Sequence, residues 1–296
     1  MNSTQYIVVD DRNDILMQSD INCKKVSIHS CAKPFQALPV CMLGLDEKYN
    51  LSLSEIAIMS SSMLAQDIHV ETIQGLLSKL MIQLDDLSLA PTAPCGRIAY
   101  SNWQRNKREI SSIYNPCVGN HIAMFLVQRE LIGSGVDYLS ASSSVQKMIL
   151  EIIRDFCKCG NDDIIIGIDH CGAPCYSMPL KSLALGYRCL CENELDLNEK
   201  YKTAVSKIRK SFFKFPRYIE GDGCLSTIVS RCEGLIGKTG ANGTIGIGID
   251  ESHCGVAIYS PNRNWAVVAE TISTVLERLG YKNRRLNREL QGVASV

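Results

Sequence analysis

The chain has 296 residues, of which 46% are hydrophobic and 21% are charged, a composition typical of a globular protein with one large domain or two small ones. Its 31 basic residues equal its 31 acidic residues, which argues against a nucleic-acid-binding or membrane-surface protein, because phosphate groups require a basic surface. No apolar stretch approaches the ~20 residues of a membrane-spanning helix, and the first residues carry no export signal. We therefore expect a cytoplasmic protein with neither nucleic-acid nor membrane partners.

The predicted elements follow an order of strands, helices and strands again. Residues 6–9 and 14–17 are predicted to form a hairpin, and residues 26–29 to be extended. A buried helix interrupted by Pro39 is predicted at 35–45, two helices at 52–80, and further helices at 121–132 and 144–157. A buried strand is predicted at 163–168, paired strands at 244–249 and 255–260, and a last helix at 264–280. This order predicts an α/β fold of the α+β type, with an antiparallel sheet covered by helices. Because no linker composition is apparent, residues 1–296 are expected to form a single domain, with a helical lobe roughly within 34–160.

Fourteen cysteines are scattered along the chain, many of them inside apolar runs. We expect most of them to be reduced thiols that pack as small hydrophobic residues. The close pairs Cys157/Cys159 and Cys189/Cys191 have no His or Cys partner at zinc-finger spacing, so the sequence does not favour a structural zinc site there.

Two short motifs carry the first candidate chemistry. In Ser30-x-x-Lys33 the hydroxyl and the amine share one helix face, because three residues are almost one turn. A serine hydroxyl needs a base to act as a nucleophile, and a lysine can be that base. Late in the chain Lys238-Thr239-Gly240 precedes a glycine-rich strand, and S-x-x-K followed by K-T-G is the order found in serine β-lactamases and penicillin-binding proteins. No S-D-N element lies between the motifs, so a β-lactamase proper is not expected.

Two cysteine-containing turns, at 115–121 and 169–174, are the third feature. Each places a cysteine, Cys117 or Cys171, beside polar and ionisable residues. The two cysteines are either ordinary turn residues or they line one site together. In the second case Asp169 would bind a substrate ammonium group, since a carboxylate is the natural partner of a charged amine.

Together these blocks resemble the rhizobial-type, or thermolabile, L-asparaginase II family, and the resemblance extends from about Val8 to about Gly280. The matching blocks are Ser30–Leu38, Ser54–Ser62 with Asp67 and His69, Cys117–His121, Asp169–Pro174 with Pro179-Leu180, Glu220-Gly221 and Gly237–Ala241. Each block is short, and the specificity comes from six of them in the same order.

The resemblance implies a fold similar to serine β-lactamases and serine-dependent glutaminases, and a homodimer that hydrolyses asparagine to aspartate and ammonia. It implies that Ser30 is the nucleophile with Lys33 as its partner, and that Ser62 and Lys238 form a second Ser–Lys pair facing the first. The remaining assignments are substrate contacts at Cys117, Asn120, His121 and Asp169, zinc ligands at Cys117 and Cys171, and a cysteine near the pocket at Cys224.

The chain departs from the family pattern in two places. The family's Cys-Ser-Gly-Lys-His is here Cys117-Val118-Gly119-Asn120-His121, and the missing lysine is both a zinc ligand and a substrate contact in the family. We therefore expect no required cofactor, with zinc binding at Cys117 and Cys171 in doubt. The family's Ser-His-Ser run is here the more apolar Ser62-Met63-Leu64.

Three functions follow, in order of preference. The first is a serine-dependent amidohydrolase, in which Lys33 takes the proton from Ser30 and a side-chain carboxamide acylates the serine. The second is an acyltransferase or amide cyclase of the same fold that acts on a different amide. The third is a catalytically inactive binding or regulatory relative.

Overall fold

The two ends of the chain meet in one antiparallel sheet, as the sequence predicts. The structure, a computed structural model, describes residues 3–192 and 198–294. Its larger sheet has five antiparallel strands in the order β2-β1-β8-β7-β6, and its smaller sheet has three in the order β3-β5-β4. The strands are β1 Gln5–Val9, β2 Ile15–Gln18, β3 Val26–Ser27, β4 Ile165–Ile168, β5 Pro174–Met178, β6 Leu235–Gly240, β7 Thr244–Ile249 and β8 Cys254–Tyr259.

Helices occupy most of the remaining described chain. They are α1 Lys33–Met42, α2 Leu45–Lys48, α3 Leu53–Met59, α4 Asp67–Leu80, α5 Arg97–Arg105, α6 Val118–Ile132, α7 Ser144–Cys157, α8 Leu180–Leu190, α9 Glu199–Lys214, α10 Leu225–Ser230, α11 Trp265–Arg278 and α12 Arg284–Ala294. The first seven lie between β3 and β4, the segment in which the helical lobe is predicted. Within the described ranges, none of the helices is long and apolar enough to cross a membrane.

Both faces of the five-stranded sheet are covered, because successive side chains along a strand point to opposite faces. On β1, Ile7 and Val9 join the core that includes α1, α6 and α8, whereas Val8 joins a second core. The three isoleucines of β7 also face this second core, where they pack with α10, α11 and α12. The period-2 pattern at 244–249 therefore reflects a strand buried on both sides.

A glycine on the other face of β7 lets α8 lie close to the sheet. A Cβ added to Gly246 would lie only 2.1 Å from the ring of Tyr187 on α8, so no larger residue fits without displacement. Tyr187 is fully buried, and its hydroxyl donates a hydrogen bond of 2.9 Å to the carbonyl of Cys31. Tyr187 thereby fixes the position of the 3-10 turn His29–Ala32, which carries Ser30 and leads into α1.

The predicted interruption at Pro39 is wrong. The helix α1 continues through this proline to Met42, and all of its residues except Met42 are buried. A proline inside a helix removes one backbone hydrogen bond and costs about 3 kcal/mol. Burial of the apolar side chains along α1 offsets that cost, and the sequence pattern around a single proline does not reveal this balance.

The strand predicted at 163–168 exists, but the prediction that it is buried is wrong. The observed β4 pairs only with β5 and forms an edge of the smaller sheet, and all four of its residues are exposed, Ile168 by 82%. A short apolar run is typical of a buried strand. Here the run marks an apolar edge instead, because no element of the described chain covers it.

Candidate active site

A cavity of about 400 Å³ opens where several chain segments meet at the end of β6. The predicted residues that border it are Ser30, Ser62, Cys117, Asp169 and Cys171. They come from the turn before α1, the loop after α3, the start of α6 and the β4–β5 turn. The fold therefore brings to one place residues that are separated by up to 141 positions in the sequence.

The turn that carries Ser30 is fixed against the end of β6. The Cys31 thiol donates to the carbonyl of Lys238 at 3.1 Å. A Cβ on Gly240 would lie 2.6 Å from the carbonyl oxygen of Ile28, so only glycine allows this close approach of strand and turn. The hydroxyl of Ser30 borders the cavity and has no hydrogen-bond partner within the described residues.

The amine of Lys33 is the centre of a polar cluster below the cavity. Lys33 is buried, and its Nζ donates to the carbonyl of Ser61 at 2.8 Å, to Oγ of Ser62 at 3.0 Å and to Sγ of Cys117 at 3.3 Å. Lys33 is predicted to pair with Ser30, yet the serine that it contacts is Ser62, the hydroxyl of the other predicted pair. The lysine therefore links α1 to the loop after α3 and to the start of α6.

Lys238 lies deeper than Lys33. It is fully buried on β6, and its Nζ donates to the carbonyl of Thr239 at 3.1 Å. Burial lowers the pKa of Lys238, and the nearby Glu220 carboxylate opposes that effect. No hydrogen bond joins Lys238 to Ser62 in the described part of the chain. Lys238 is thus close enough to act on the site electrostatically.

Cys117 and Cys171 form a hydrogen-bonded pair at the cavity wall. The hydrogen bond from the Cys171 thiol and the neighbouring Lys33 lower the pKa of Cys117 to about 5, against the opposing effect of burial. The same hydrogen bond raises the pKa of Cys171. This arrangement favours the thiolate form of Cys117 and the thiol form of Cys171.

Asn120 and His121 do not border the cavity. The Asn120 side chain is buried and donates to the carbonyl of Met59 at 3.3 Å. His121 is also buried, with Nδ1 lying 2.6 Å from the hydroxyl of Tyr138, and burial lowers the pKa of His121 to about 3. Cys224, at the start of α10, also lies outside the cavity lining, and burial raises its pKa to about 12.

Asp169 presents a charged carboxylate to the cavity. Its Oδ1 lies 3.3 Å from Nδ1 of His29 and accepts a hydrogen bond of 2.7 Å from the backbone N–H of His170. Burial raises the pKa of Asp169, but these hydrogen bonds outweigh burial and bring the pKa down to about 2. The hydrogen bond with Asp169 raises the pKa of His29 to about 10.

Two residues of the site are given no role by the sequence reasoning, although one of them, Glu220, lies in a matching block. Glu220 borders the cavity and accepts hydrogen bonds from the Thr239 hydroxyl at 3.0 Å and the Ser226 backbone N–H at 3.3 Å. His29 precedes Ser30 directly and has a φ of 40°, which residues other than glycine seldom adopt. The adjacency of His29 to the Ser-x-x-Lys motif is the only signal in the sequence that could have drawn attention to it.

A family model of L-asparaginase II matches residues 1–296. The chain belongs to the L-asparaginase II family. This confirms the resemblance read from the six ordered blocks. No curated protein matches the sequence significantly.

One solved structure relates this L-asparaginase II family member to the β-lactamase-like fold. A beta-lactamase-like protein from Bacteroides dorei DSM 17855 is 11% identical, with 93% of each chain covered and a TM-score of 0.50. The structure of Mglu is also 11% identical, with 87% of this chain and 56% of that chain covered and a TM-score of 0.38. The first likeness confirms the predicted fold. Membership of the family supports an asparaginase-like amidohydrolase.

The zinc site that the family resemblance implies at Cys117 and Cys171 does not fit this L-asparaginase II family member. Asn120, at the position of the family's lysine ligand, directs its neutral amide to the carbonyl of Met59. Among the described residues, no further His, Cys, Asp or Glu joins the two thiols in a group with ligand atoms within 4.8 Å. Two thiols alone fall short of the three or four protein ligands of zinc sites.

Proposed function

We propose that this chain is a serine-dependent amidohydrolase that converts L-asparagine to L-aspartate and ammonia through an acyl-enzyme on Ser30. The observation that carries the proposal is the arrangement of two hydroxyls and one buried amine. Ser30 and Ser62 both border the cavity, and Lys33, one helical turn after Ser30, is hydrogen-bonded to Ser62. A nucleophile, a base and a bridging hydroxyl are the parts that acyl transfer requires.

The three partners of Lys33 suggest the path of the proton. An ammonium group has three donors and no acceptor, which matches the three acceptors around Nζ. In its free-amine form Lys33 has one lone pair, which can accept a proton. The hydroxyl of Ser62 can then donate a hydrogen bond to Nζ of Lys33. In the proposed mechanism the Ser30 proton passes to Ser62, and the Ser62 proton passes to Lys33.

The acyl group passes first from the amide to Ser30 and then to water. Oγ of Ser30 bonds to the carboxamide carbon, the C–N bond breaks, and the proton held by Lys33 leaves with the amine as ammonia. The oxygen of a water molecule then bonds to the acyl carbon, and its proton passes to Lys33 and from there to Oγ of Ser30 by the same path. The bond between the acyl carbon and Oγ of Ser30 breaks, and aspartate departs. Positive charge nearby, including that of Lys33 and any on Lys238, stabilises the tetrahedral oxyanion.

Asp169 is the proposed contact for the substrate α-ammonium group. Its carboxylate borders the cavity, and the hydrogen bonds to His29 and His170 keep it charged at neutral pH. A charge-assisted hydrogen bond to an ammonium group is stronger than a neutral one. In the proposal no metal cofactor takes part in the reaction.

Trapping the acyl-enzyme tests the proposal. The protein is mixed with asparagine, quenched in acid and digested, and the aspartyl adduct is located by mass spectrometry. We expect the adduct on the peptide with Ser30, its loss in Ser30→Ala, and its survival at a slower rate in Ser62→Ala. Ser60→Ala is the matched control, because Ser60 is buried and its hydroxyl donates to the carbonyl of Ile56. An adduct on Ser62 or Cys117, or none at all, contradicts the proposal.

A second candidate keeps the acyl-enzyme but changes the amide or the acceptor. Its favouring observation is the cavity itself, whose volume of about 400 Å³ and apolar walls at Leu64 and Trp265 exceed the needs of a small polar amino acid. Assays of ammonia release from a panel of amides, with and without primary amines, separate the candidates. Faster turnover of a larger amide, or an amine-linked product, favours the acyltransferase or cyclase.

We also propose a homodimer in which a second copy covers β4. This strand has one unpaired edge, and its Ile165 and Ile168 side chains are 56% and 82% exposed. An apolar edge strand is a template for pairing with another chain, and two-fold dimers are the commonest assemblies. Light scattering after gel filtration is expected to give a dimer, and Ile168→Asp a monomer. A monomeric unmodified protein contradicts this assembly.

A further inference from the structure

Three side chains of different chemistry converge beside the cavity. Nδ1 of His29 lies 3.3 Å from Oδ1 of Asp169 and 3.7 Å from Sγ of Cys175, and the three atoms all lie within 4.8 Å of one another. In the part of the chain that the structure describes, no other group of three His, Cys, Asp or Glu ligands meets that distance. We call these three residues the His29 cluster.

The spacing within the His29 cluster matches the edges of a metal coordination tetrahedron. Zinc binds histidine nitrogen and carboxylate oxygen at about 2.0–2.1 Å and thiolate sulfur at about 2.3 Å. Tetrahedral angles then place nitrogen about 3.3 Å from oxygen and about 3.6 Å from sulfur. The observed 3.3 Å and 3.7 Å agree with both edges.

The same residue types also occur in Cys–His–Asp catalytic triads, but the geometry here is different. In a triad the acid contacts one ring nitrogen and the nucleophile contacts the other, so that the imidazole relays a proton between them. In the His29 cluster both Asp169 and Cys175 face Nδ1. One nitrogen cannot orient the ring and activate the thiol at the same time, whereas three ligands around one point are what a metal ion requires.

The surrounding structure holds the ligands in place. The Ser27 hydroxyl lies 3.1 Å from Sγ of Cys175, and the backbone N–H of Asp169 donates to the carbonyl of Ala173 at 2.8 Å. Outer contacts of this kind orient metal ligands. Cys175 is buried, while the side chains of His29 and Asp169 are 17% and 19% exposed, so the cluster is sheltered but reachable.

We propose that His29, Asp169 and Cys175 bind a divalent transition-metal ion, with zinc as the expected ion. The thiolate excludes magnesium and calcium, which prefer oxygen ligands. Three protein ligands leave a coordination position for water or for a molecule in the adjacent cavity. The inference does not rest on the proposed amidohydrolase function, although an ion at Asp169 would compete with a substrate ammonium group.

Cobalt(II) is the probe for the test, because a thiolate ligand gives it an absorption band in the near ultraviolet. The full-length protein is reduced, stripped with a chelator and titrated with Co²⁺, and zinc content is measured in parallel by mass spectrometry. We expect one equivalent of Co²⁺ with a thiolate band in the unmodified protein and in Cys117→Ser/Cys171→Ser. We expect no thiolate band in Cys175→Ser and at least about tenfold weaker binding in His29→Ala.

Two controls keep the test decisive. Cys254→Ser removes another buried thiol, one whose sulfur donates to the carbonyl of Ser252, and it is expected to bind Co²⁺ unchanged. Circular dichroism checks the fold of each variant, and His29→Ala tests the proposal if Cys175→Ser does not fold. A thiolate band that persists in Cys175→Ser and disappears in Cys117→Ser/Cys171→Ser overturns the proposal, as does the absence of binding in the unmodified protein.

Discussion

Two clusters of ionisable side chains reach the same cavity, one through Ser62 and Cys117 and the other through Asp169, and they are built in opposite ways. In the Lys33 cluster, formed by Lys33, Ser62 and Cys117, one buried amine donates outward to separate acceptors. In the His29 cluster the three candidate ligand atoms lie within 4.8 Å of one another. The Lys33 cluster is therefore suited to proton transfer between several groups, and the His29 cluster to binding a cation.

The difference shows that residue types alone do not define chemistry at a site. Both clusters contain a cysteine beside a basic residue, with hydroxyl or carboxylate neighbours. Proton transfer and metal binding depend on different geometries. An amine that donates to several separate acceptors suits proton transfer, whereas ligand atoms that are directed toward a shared space suit a metal ion. The predictions below use this contrast.

Replacing Lys33 gives the largest expected effect. Lys33→Met removes the amine that is hydrogen-bonded to Ser62, and we expect kcat for asparagine hydrolysis to fall by about 10³-fold or more. Co²⁺ binding at the His29 cluster is expected to persist, because Lys33 is not one of its ligands. Ammonia release and Co²⁺ absorption measure the two effects, with Lys24→Met, at an exposed position, as the matched control. A loss of both properties together would mean that the clusters are one unit.

The reactivity of Cys117 with pH gives the next effect. Because the pKa of Cys117 is lowered to about 5, its thiolate is present above that pH and lost as the pH falls through it. Alkylation of the Cys117 peptide by iodoacetamide, followed by mass spectrometry, should therefore be nearly constant from pH 6 to 8 and fall below about pH 5. In Lys33→Met the midpoint is expected to move upward. A midpoint near ~8.5 in the unmodified protein would contradict the proposed thiolate.

Removing a metal ligand is expected to leave the chemistry of the other cluster largely intact. Cys175 does not border the cavity, so kcat/KM of metal-free Cys175→Ser should stay within about tenfold of the unmodified protein. Steady-state assays in the presence of a chelator measure this. A fall comparable to that of Lys33→Met would place the His29 cluster within the catalytic machinery and break the comparison.

The smallest effect is expected at Asn120. Its side chain makes one hydrogen bond of 3.3 Å to the carbonyl of Met59 and does not border the cavity. Asn120→Ala should therefore lower the free energy of unfolding by about 1 kcal/mol and leave KM nearly unchanged. Unfolding by denaturant measures the free energy of unfolding, and steady-state kinetics measure KM. A large rise in KM with an unchanged fold would favour the substrate contact that the family pattern predicts.

Much of the fold could be predicted because its signals are local. The hairpin at the start of the chain, the helix at 144–157 and the strand at 244–249 have clear hydrophobic periods, and the structure confirms them. The segment from 174 to 240 lacks such patterns, so β5, β6 and α8 to α10 go unpredicted. The exposure of β4 also escapes, because an apolar run does not reveal whether another element covers it.

The sequence predicts many of the residues of the site but not the hydrogen bonds between them. Ordered motifs identify Ser30, Lys33 and Asp169. The fold brings Ser30 and Asp169 to one cavity and hydrogen-bonds Lys33 to Ser62, which also borders it. The motifs do not reveal which hydroxyl Lys33 contacts, because that depends on how the loop after α3 packs against α1. They also pass over Cys175, which looks like the other buried thiols until the β4–β5 turn sets it beside His29.

The glycine beneath α8 gives the molecule a sensitive point far from the reacting groups along the chain. At Gly246 an added methyl group would push against Tyr187, whose hydroxyl holds the backbone of Cys31 beside the proposed nucleophile. A screen of random variants that keep normal expression but lose turnover should therefore recover substitutions at this position. Such variants would slow the reaction by loosening one turn of backbone, and a search for defects confined to the cavity lining would overlook them.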